Sequence, residues 1–202
     1  MISIPESDIY YSIASVGEGF YKEKGSKFIS YAYPATNQDE IRVHLETLKK
    51  QYYDARHHCY AWRLGSEGTH VRANDDGEPN HSAGDPILGQ IRSANLTDAL
   101  VVVVRYFGGT KLGVSGLIHA YRVAAHEALQ QAVVKECVVR DIVTLAYPYE
   151  NTQEVMRLLD EYPVKIEEQV FEADCKVKLG VPYSLLERFS EEVGKLPAVQ
   201  LS

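Results

Sequence analysis

Residues 101–117, VVVVRYFGGTKLGVSGL, join a strand, a glycine turn and a helix start without a break, and the rest of the chain is read outward from them. Four consecutive valines, Val101 to Val104, are too apolar for a strand with one wet face and predict a strand covered on both sides. Gly108, Gly109, Gly113 and Gly116 then release the backbone for a tight turn. From about Val114 to Val133 the pattern is helical, so the first N–H groups of that helix face the place where Arg105 and Lys111 put two cations. A small anion or a phosphate suits such a place. Arg105, Gly108, Gly109, Lys111 and the Ser115 hydroxyl form the candidate anion or nucleic-acid contact, with a purely structural turn as the alternative.

Several named chemistries fail on spacing. Lys111 follows Thr110 and precedes Leu112, so the Gly-x-x-x-x-Gly-Lys-Ser/Thr loop of nucleotide triphosphatases is absent, as is Gly-x-Gly-x-x-Gly. Gly113-Val114-Ser115-Gly116-Leu117 misses the nucleophile-elbow pattern because position 117 is not glycine. Ser115 and His119 stand four apart on the helix, yet no third residue is patterned to orient such a pair. No catalytic residue is therefore assigned.

Upstream of this stretch, Tyr11-Ser-Ile-Ala-Ser and Lys27-Phe-Ile-Ser-Tyr-Ala-Tyr are β-rich runs separated by Gly17, Gly19 and Gly25, which predicts a hairpin or meander. Thr36 to Tyr53 opens on a cap candidate, Thr36 or Asn37, and places Ile41, Leu45 and Leu48 on one face of an amphipathic helix. His58 to Leu64 reads as an aromatic-rich strand, Gly65 to Gly68 as its turn, and Thr69 to Ala73 as its partner. Residues 74–86, NDDGEPNHSAGDP, are dense in turn formers and read as one long polar loop, followed by a short helix over Ile87 to Leu96. Asp75, Asp76, Glu78 and Asp85, with His57, His58 and His81, cluster there; His58, Asp75, Asp76 and Glu78 are the possible loop site. Their spacing fits no metal motif, and the plain reading is a solvated turn at Gly77. No metal or cofactor is assigned.

From Arg140 the pattern restarts as strand, helix, strand, strand, helix, strand: Asp141 to Tyr149, Asn151 to Tyr162, Val164 to Phe171, Ala173 to Val181, Tyr183 to Val193, and Ala198 to Leu201. This βαββαβ order is that of the ferredoxin-like sandwich. The chain is read as α+β in two domains, 1–138 and 139–202.

Composition narrows the classes. A net charge of −7 on 202 residues argues against a uniformly basic surface that wraps nucleic acid, and DNA is not an expected partner. Cys59, Cys137 and Cys175 are far apart, odd in number and without a CxxC pair, and read as free buried thiols. No apolar run approaches the ~20 residues of a membrane span, and the opening MISIPESDIYYS lacks the blocks of a signal peptide, so a cytoplasmic location without a membrane partner is expected. Of the 14 tyrosines, Tyr10, Tyr11, Tyr21, Tyr31, Tyr33, Tyr52, Tyr53 and Tyr60 crowd the first third; half-buried strand positions are the plain reading and base stacking the functional one. His44 and His126 read as surface residues of helices.

Taken together, Lys24-Gly-Ser-Lys-Phe-Ile, Ala55-Arg-His-His-Cys-Tyr-Ala-Trp, Asp75-Asp-Gly-Glu-Pro, Ser82-Ala-Gly-Asp-Pro-Ile-Leu and Arg105-Tyr-Phe-Gly-Gly-Thr-Lys-Leu-Gly resemble the IMPACT family, in particular its bacterial YigZ-like members. The resemblance covers about residues 18–130 by motif. It implies a ribosomal protein S5 domain 2-like N-terminal domain and a C-terminal domain similar to the last domains of elongation factor G. It also implies a link to translation, because eukaryotic members regulate translation by competing for an activator of an initiation-factor kinase. Asn80-His81-Ser82 and Val114-Ser115 depart from the usual family pattern. The leading expectation is a regulatory or accessory protein that binds RNA, the ribosome or a translation factor through the glycine turn. The alternatives are a metal-dependent hydrolase or phosphate-handling enzyme built on the acidic loop and histidines, and a protein-interaction module.

Overall fold

The structure, a computed structural model, describes residues 2–172 and 174–202. The chain forms two compact units, Tyr10–Glu136 and a discontinuous one made of Met1–Ile9 with Cys137–Ser202. The division at 138 and 139 thus differs at the start of the chain, where the Ile2 N–H donates to the Glu161 carbonyl and the Asp8 carboxylate accepts from Ser184 N and Oγ.

The elements of the larger unit, the first and last of which run one and two residues past its bounds, are β1 (Ile9–Ser15), β2 (Gly17–Glu23), β3 (Ser26–Pro34), α1 (Gln38–Gln51), β4 (His57–Leu64), β5 (His70–Asn74), α2 (Gly84–Ser93), β6 (Ala99–Tyr106), α3 (Gly113–Gln131) and β7 (Val133–Val138). Five strands make an antiparallel sheet in the order β2-β3-β6-β4-β5, and β1 pairs with β7 in a separate two-stranded ribbon. The four valines lie in β6, the central strand, and are buried throughout. Because side chains alternate along a strand, Val101 and Val103 pack with Tyr121 and Ala124 of α3, while Leu100 and Val102 pack with Ile41 and Leu48 of α1. The two-sided burial read from the valine run is what the sheet displays.

Several boundaries differ from the expectation. Gly17 and Gly19 lie inside a strand, β2, because α3 crosses it closely: a Cβ on Gly17 would sit 2.1 Å from the Ala128 carbonyl oxygen. The loop after Asn74 ends at Gly84 rather than at Pro86, since proline in the first helical turn sacrifices no intrahelical bond. Val133–Val138 is a strand that the helical reading ran into. Asn37, not Thr36, caps α1, its side chain accepting from the Glu40 N–H at 3.0 Å. His44 is half-buried and stacks on Tyr33 at 4.2 Å between ring centroids rather than standing free at the surface. Cys59 and Cys175 are buried free thiols, and Cys137 is half-buried.

The smaller unit contains β8 (Arg140–Pro148), α4 (Thr152–Glu161), β9 (Lys165–Val170), β10 (Asp174–Pro182), α5 (Leu186–Val193) and β11 (Gln200–Leu201). Ala173, the expected first residue of one strand, lies outside the described residues. The sheet order β11-β8-β10-β9, all antiparallel, places each βαβ crossover around an intervening strand, which is the ferredoxin-like arrangement. Val143, Leu145, Val177 and Leu179 share a core with Val155 and Leu159 of α4 and Phe189 of α5. None of the described helices is long and apolar enough to cross a membrane.

Candidate functional site

The end of β6 brings Arg105 to the face of the sheet covered by α3, in the same alternation as Val101 and Val103. Its guanidinium is 7% exposed, and Nη1 donates to Glu78 Oε1 at 2.6 Å. Glu78 Oε1 also accepts from the Tyr121 hydroxyl at 2.7 Å. Tyr121 is fully buried, and its ring meets Phe28 edge-on at 5.1 Å. Arg105 lies over the rings of Phe28 and Phe107, at 5.5 and 5.8 Å from their centroids. The residues read from sequence as a cation for a ligand and a solvated loop acid are therefore a buried pair that neutralise one another. The chain brings them together because the 74–83 loop folds back over the end of the central strand.

The remaining acids of that loop hold its backbone. Asp75 accepts from Ala83 N and Gly84 N with Oδ1 and from His81 N with Oδ2, at 2.8–2.9 Å. Burial pushes the Asp75 carboxyl up, but the N–H donors of Gly84, His81 and Ala83 outweigh it and leave the group below its ordinary value. Asp76 Oδ2 accepts from the His58 N–H at 2.7 Å, and the Asp76 carbonyl lies 2.8 Å from His57 Nδ1. The His58 ring faces α1, on the opposite side of the sheet from Glu78, and burial pulls its pKa down. Of the four loop residues singled out, Asp75 and Asp76 organise backbone, His58 contributes only its N–H, and Glu78 alone enters a side-chain network. Among the described residues, no three His, Cys, Asp or Glu side chains are grouped to share a metal ion.

Two residues of this network were not singled out for the site from the sequence. Ser26 Oγ accepts from Gly108 N at 3.1 Å and lies 3.5 Å from Arg105 Nη2. Cys59 Sγ lies 3.0 Å from the Asp75 carbonyl and 3.3 Å from the Tyr121 hydroxyl, and its single S–H serves one of them at a time. Burial pushes this thiol well above its ordinary value. Alternation along β4 places Cys59 on the face of Val103, the only advance indication of its position.

Beyond Arg105 the chain turns at residues 107–112. Gly108 passes so close to the β2–β3 hairpin that a Cβ there would sit 1.9 Å from the Gly25 carbonyl carbon. Gly109, at φ 88°, faces open space. Lys111 and Ser115 are exposed, and neither has an ion pair or side-chain hydrogen bond among the described residues. His119 does not bond Ser115; its ring stands edge-on to Tyr21. The α3 N-terminus has no side-chain cap and no acidic residue in its first turn. A cavity of about 340 Å³ opens between this turn, the start of α3 and the Glu78–Arg105 pair.

The Impact N-terminal domain model matches residues 24–129. An IMPACT family member of Haemophilus influenzae is 33% identical over 172 residues, covering 84% of each chain. The IMPACT family member YigZ of Escherichia coli is 30% identical over 172 residues, again covering 84% of each. A crystal structure described as that of a hypothetical protein superposes with a TM-score of 0.71 at 27% identity over 96% of both chains.

Proposed function

The chain belongs to the IMPACT family, and on that premise we propose that it is a translation-linked accessory protein that contacts RNA, on its own or within the ribosome, at the turn preceding α3. One observation carries the reading: α3 starts without a side-chain cap and without an acid in its first turn, directly after the exposed Lys111. The free N–H groups of a 19-residue helix and an ammonium beside them favour a phosphate. Ser115, exposed in the same first turn, offers a further donor. Arg105 does not belong to this contact, because its charge is already neutralised by Glu78. One phosphate contact suits a protein of net charge −7 that touches RNA locally rather than wrapping it.

The test is binding of the whole protein to ribosomes and to a structured RNA as salt is raised. Lys111→Ala is expected to weaken binding and to lower the log–log salt slope by about one. Equal affinity and equal slope for Lys111→Ala and the parent protein would refute the contact.

A further inference from the structure

The cavity beside the turn is smaller than other depressions of the same unit but is walled mainly by apolar side chains. Its volume of about 340 Å³ falls at the lower end of small-molecule sites, roughly 300–1,000 Å³. Its walls are Pro79, Phe107, Leu112, Val114 and Leu117. Phe107 and Val114 are 56% and 53% exposed, so the chain leaves apolar surface in water at this mouth. The polar groups that line it are few: Lys111 beside the start of α3 at Gly113, and the Glu78–Arg105 pair.

The Glu78–Arg105 pair is incompletely satisfied. Arg105 Nε is buried without a hydrogen-bond partner, and Nη2 reaches only Ser26 Oγ at 3.5 Å. Glu78 uses Oε1 for both Arg105 and Tyr121, and no bond to Oε2 exists among the described residues. Nε is enclosed by protein, so of these unused atoms Glu78 Oε2 is the one a ligand can meet, and it does so as an acceptor. A second anion is excluded there, since it would leave a net negative charge beside Glu78 in a poorly solvated place. A neutral hydroxyl fits instead, donating to Glu78 Oε2. The anion of a ligand belongs with Lys111, which has no acidic partner among the described residues.

We infer that this cavity is a binding site for a small organic acid with an apolar body about the size of one aromatic ring, its carboxylate held by Lys111 and the α3 N-terminus. A neutral hydroxyl elsewhere on that body donates to Glu78 Oε2. The site shares Lys111 and the α3 N-terminus with the proposed RNA contact, and the comparison of acid with amide reads it apart from the salt dependence of RNA binding.

The probe is 4-hydroxyphenylacetate, titrated into the methyl-labelled full chain and followed by carbon–proton correlation spectra. Leu112, Val114 and Leu117 methyl signals are expected to shift and saturate with a Kd of about 1 mM or below, the range that ligand efficiency allows for so few atoms. The neutral 4-hydroxyphenylacetamide should bind at least about ten-fold more weakly, and Lys111→Ala should bring the acid down to the amide's level while leaving the amide unchanged. Val114→Trp, at an exposed position of the mouth, should abolish saturation with the remaining core methyls unmoved. The inference is overturned by any of four results: no saturation up to about 10 mM, equal affinity for acid and amide, unchanged binding to Val114→Trp, or tighter occupation of the same methyls by uridine monophosphate.

Discussion

Replacing Arg105 with methionine tests whether this residue is a ligand-facing cation or half of a structural pair. Its partner, Glu78, has only 4% of its side chain exposed and would keep a single donor, the Tyr121 hydroxyl. Removing one member of a buried pair costs about 3–5 kcal/mol, because the other charge stays desolvated. Trp62 is the only tryptophan, is buried, and lies in the unit spanning Tyr10–Glu136, so its fluorescence follows the unfolding of that unit. With an m-value of about 2 kcal/mol/M in urea, the midpoint should fall by roughly 1.5–2.5 M. Glu78→Gln should cost a similar amount by stranding the guanidinium. The double variant, Arg105→Met with Glu78→Met, should be far more stable than the sum of the singles, since replacing both partners by apolar groups is often close to neutral. The reasoning fails if Arg105→Met moves the midpoint by less than about 0.3 M while weakening RNA binding. Arg105 would then be free in solution and Glu78 held by other means.

Three further perturbations bear on the same region. Gly108→Ala should destabilise this unit by more than about 2 kcal/mol, because the new methyl would have to displace the backbone of Gly25 and Ser26. Gly109→Ala, facing open space at positive φ, should cost only about 1–2 kcal/mol in the same urea titration, and equal costs for the two variants would contradict the close approach. The buried His58 ring has a depressed pKa, so the stability it lends is present above its ordinary value and lost as pH falls through the folded one. The Trp62-monitored midpoint should decline from about pH 6.5 downward, and His58→Gln should flatten part of that decline, His44 being depressed by burial as well. Asp75 is likewise lowered, and its contribution should disappear only below the ordinary carboxylate range. Asp75→Ala should cost about 2–3 kcal/mol and speed amide exchange at His81, Ala83 and Gly84, the three N–H groups it accepts from, and unchanged exchange there would refute its role.

How far the sequence carries the site depends on whether the controlling interaction is local. The buried strand, the glycine turn and the helix after it follow from the composition of 101–117, because a four-valine run has no stable place except between two packed layers. The order and spacing of elements after Arg140 likewise limit the tail to one sheet arrangement. The Glu78–Arg105 pair is different. Twenty-seven residues separate its members, and each has an ordinary local reading, a loop acid beside Gly77 and a cation beside a glycine turn. Only the fold of the 74–83 loop, held by Asp75 on the N–H groups of Ala83 and Gly84, carries Glu78 under α3. Tyr121 carried no warning because its ring satisfies the apolar face of α3 as well as leucine would, and its hydroxyl acquires a role only when Glu78 arrives beneath it. The loop acids were legible as a cluster but not as a division of labour, and that division decides the chemistry. Asp75 and Asp76 are spent on backbone, Glu78 on Arg105, and Lys111 is left as the exposed cation at the turn. The contact proposed above therefore draws on the turn and the start of α3, while the acids of the loop are engaged within the fold.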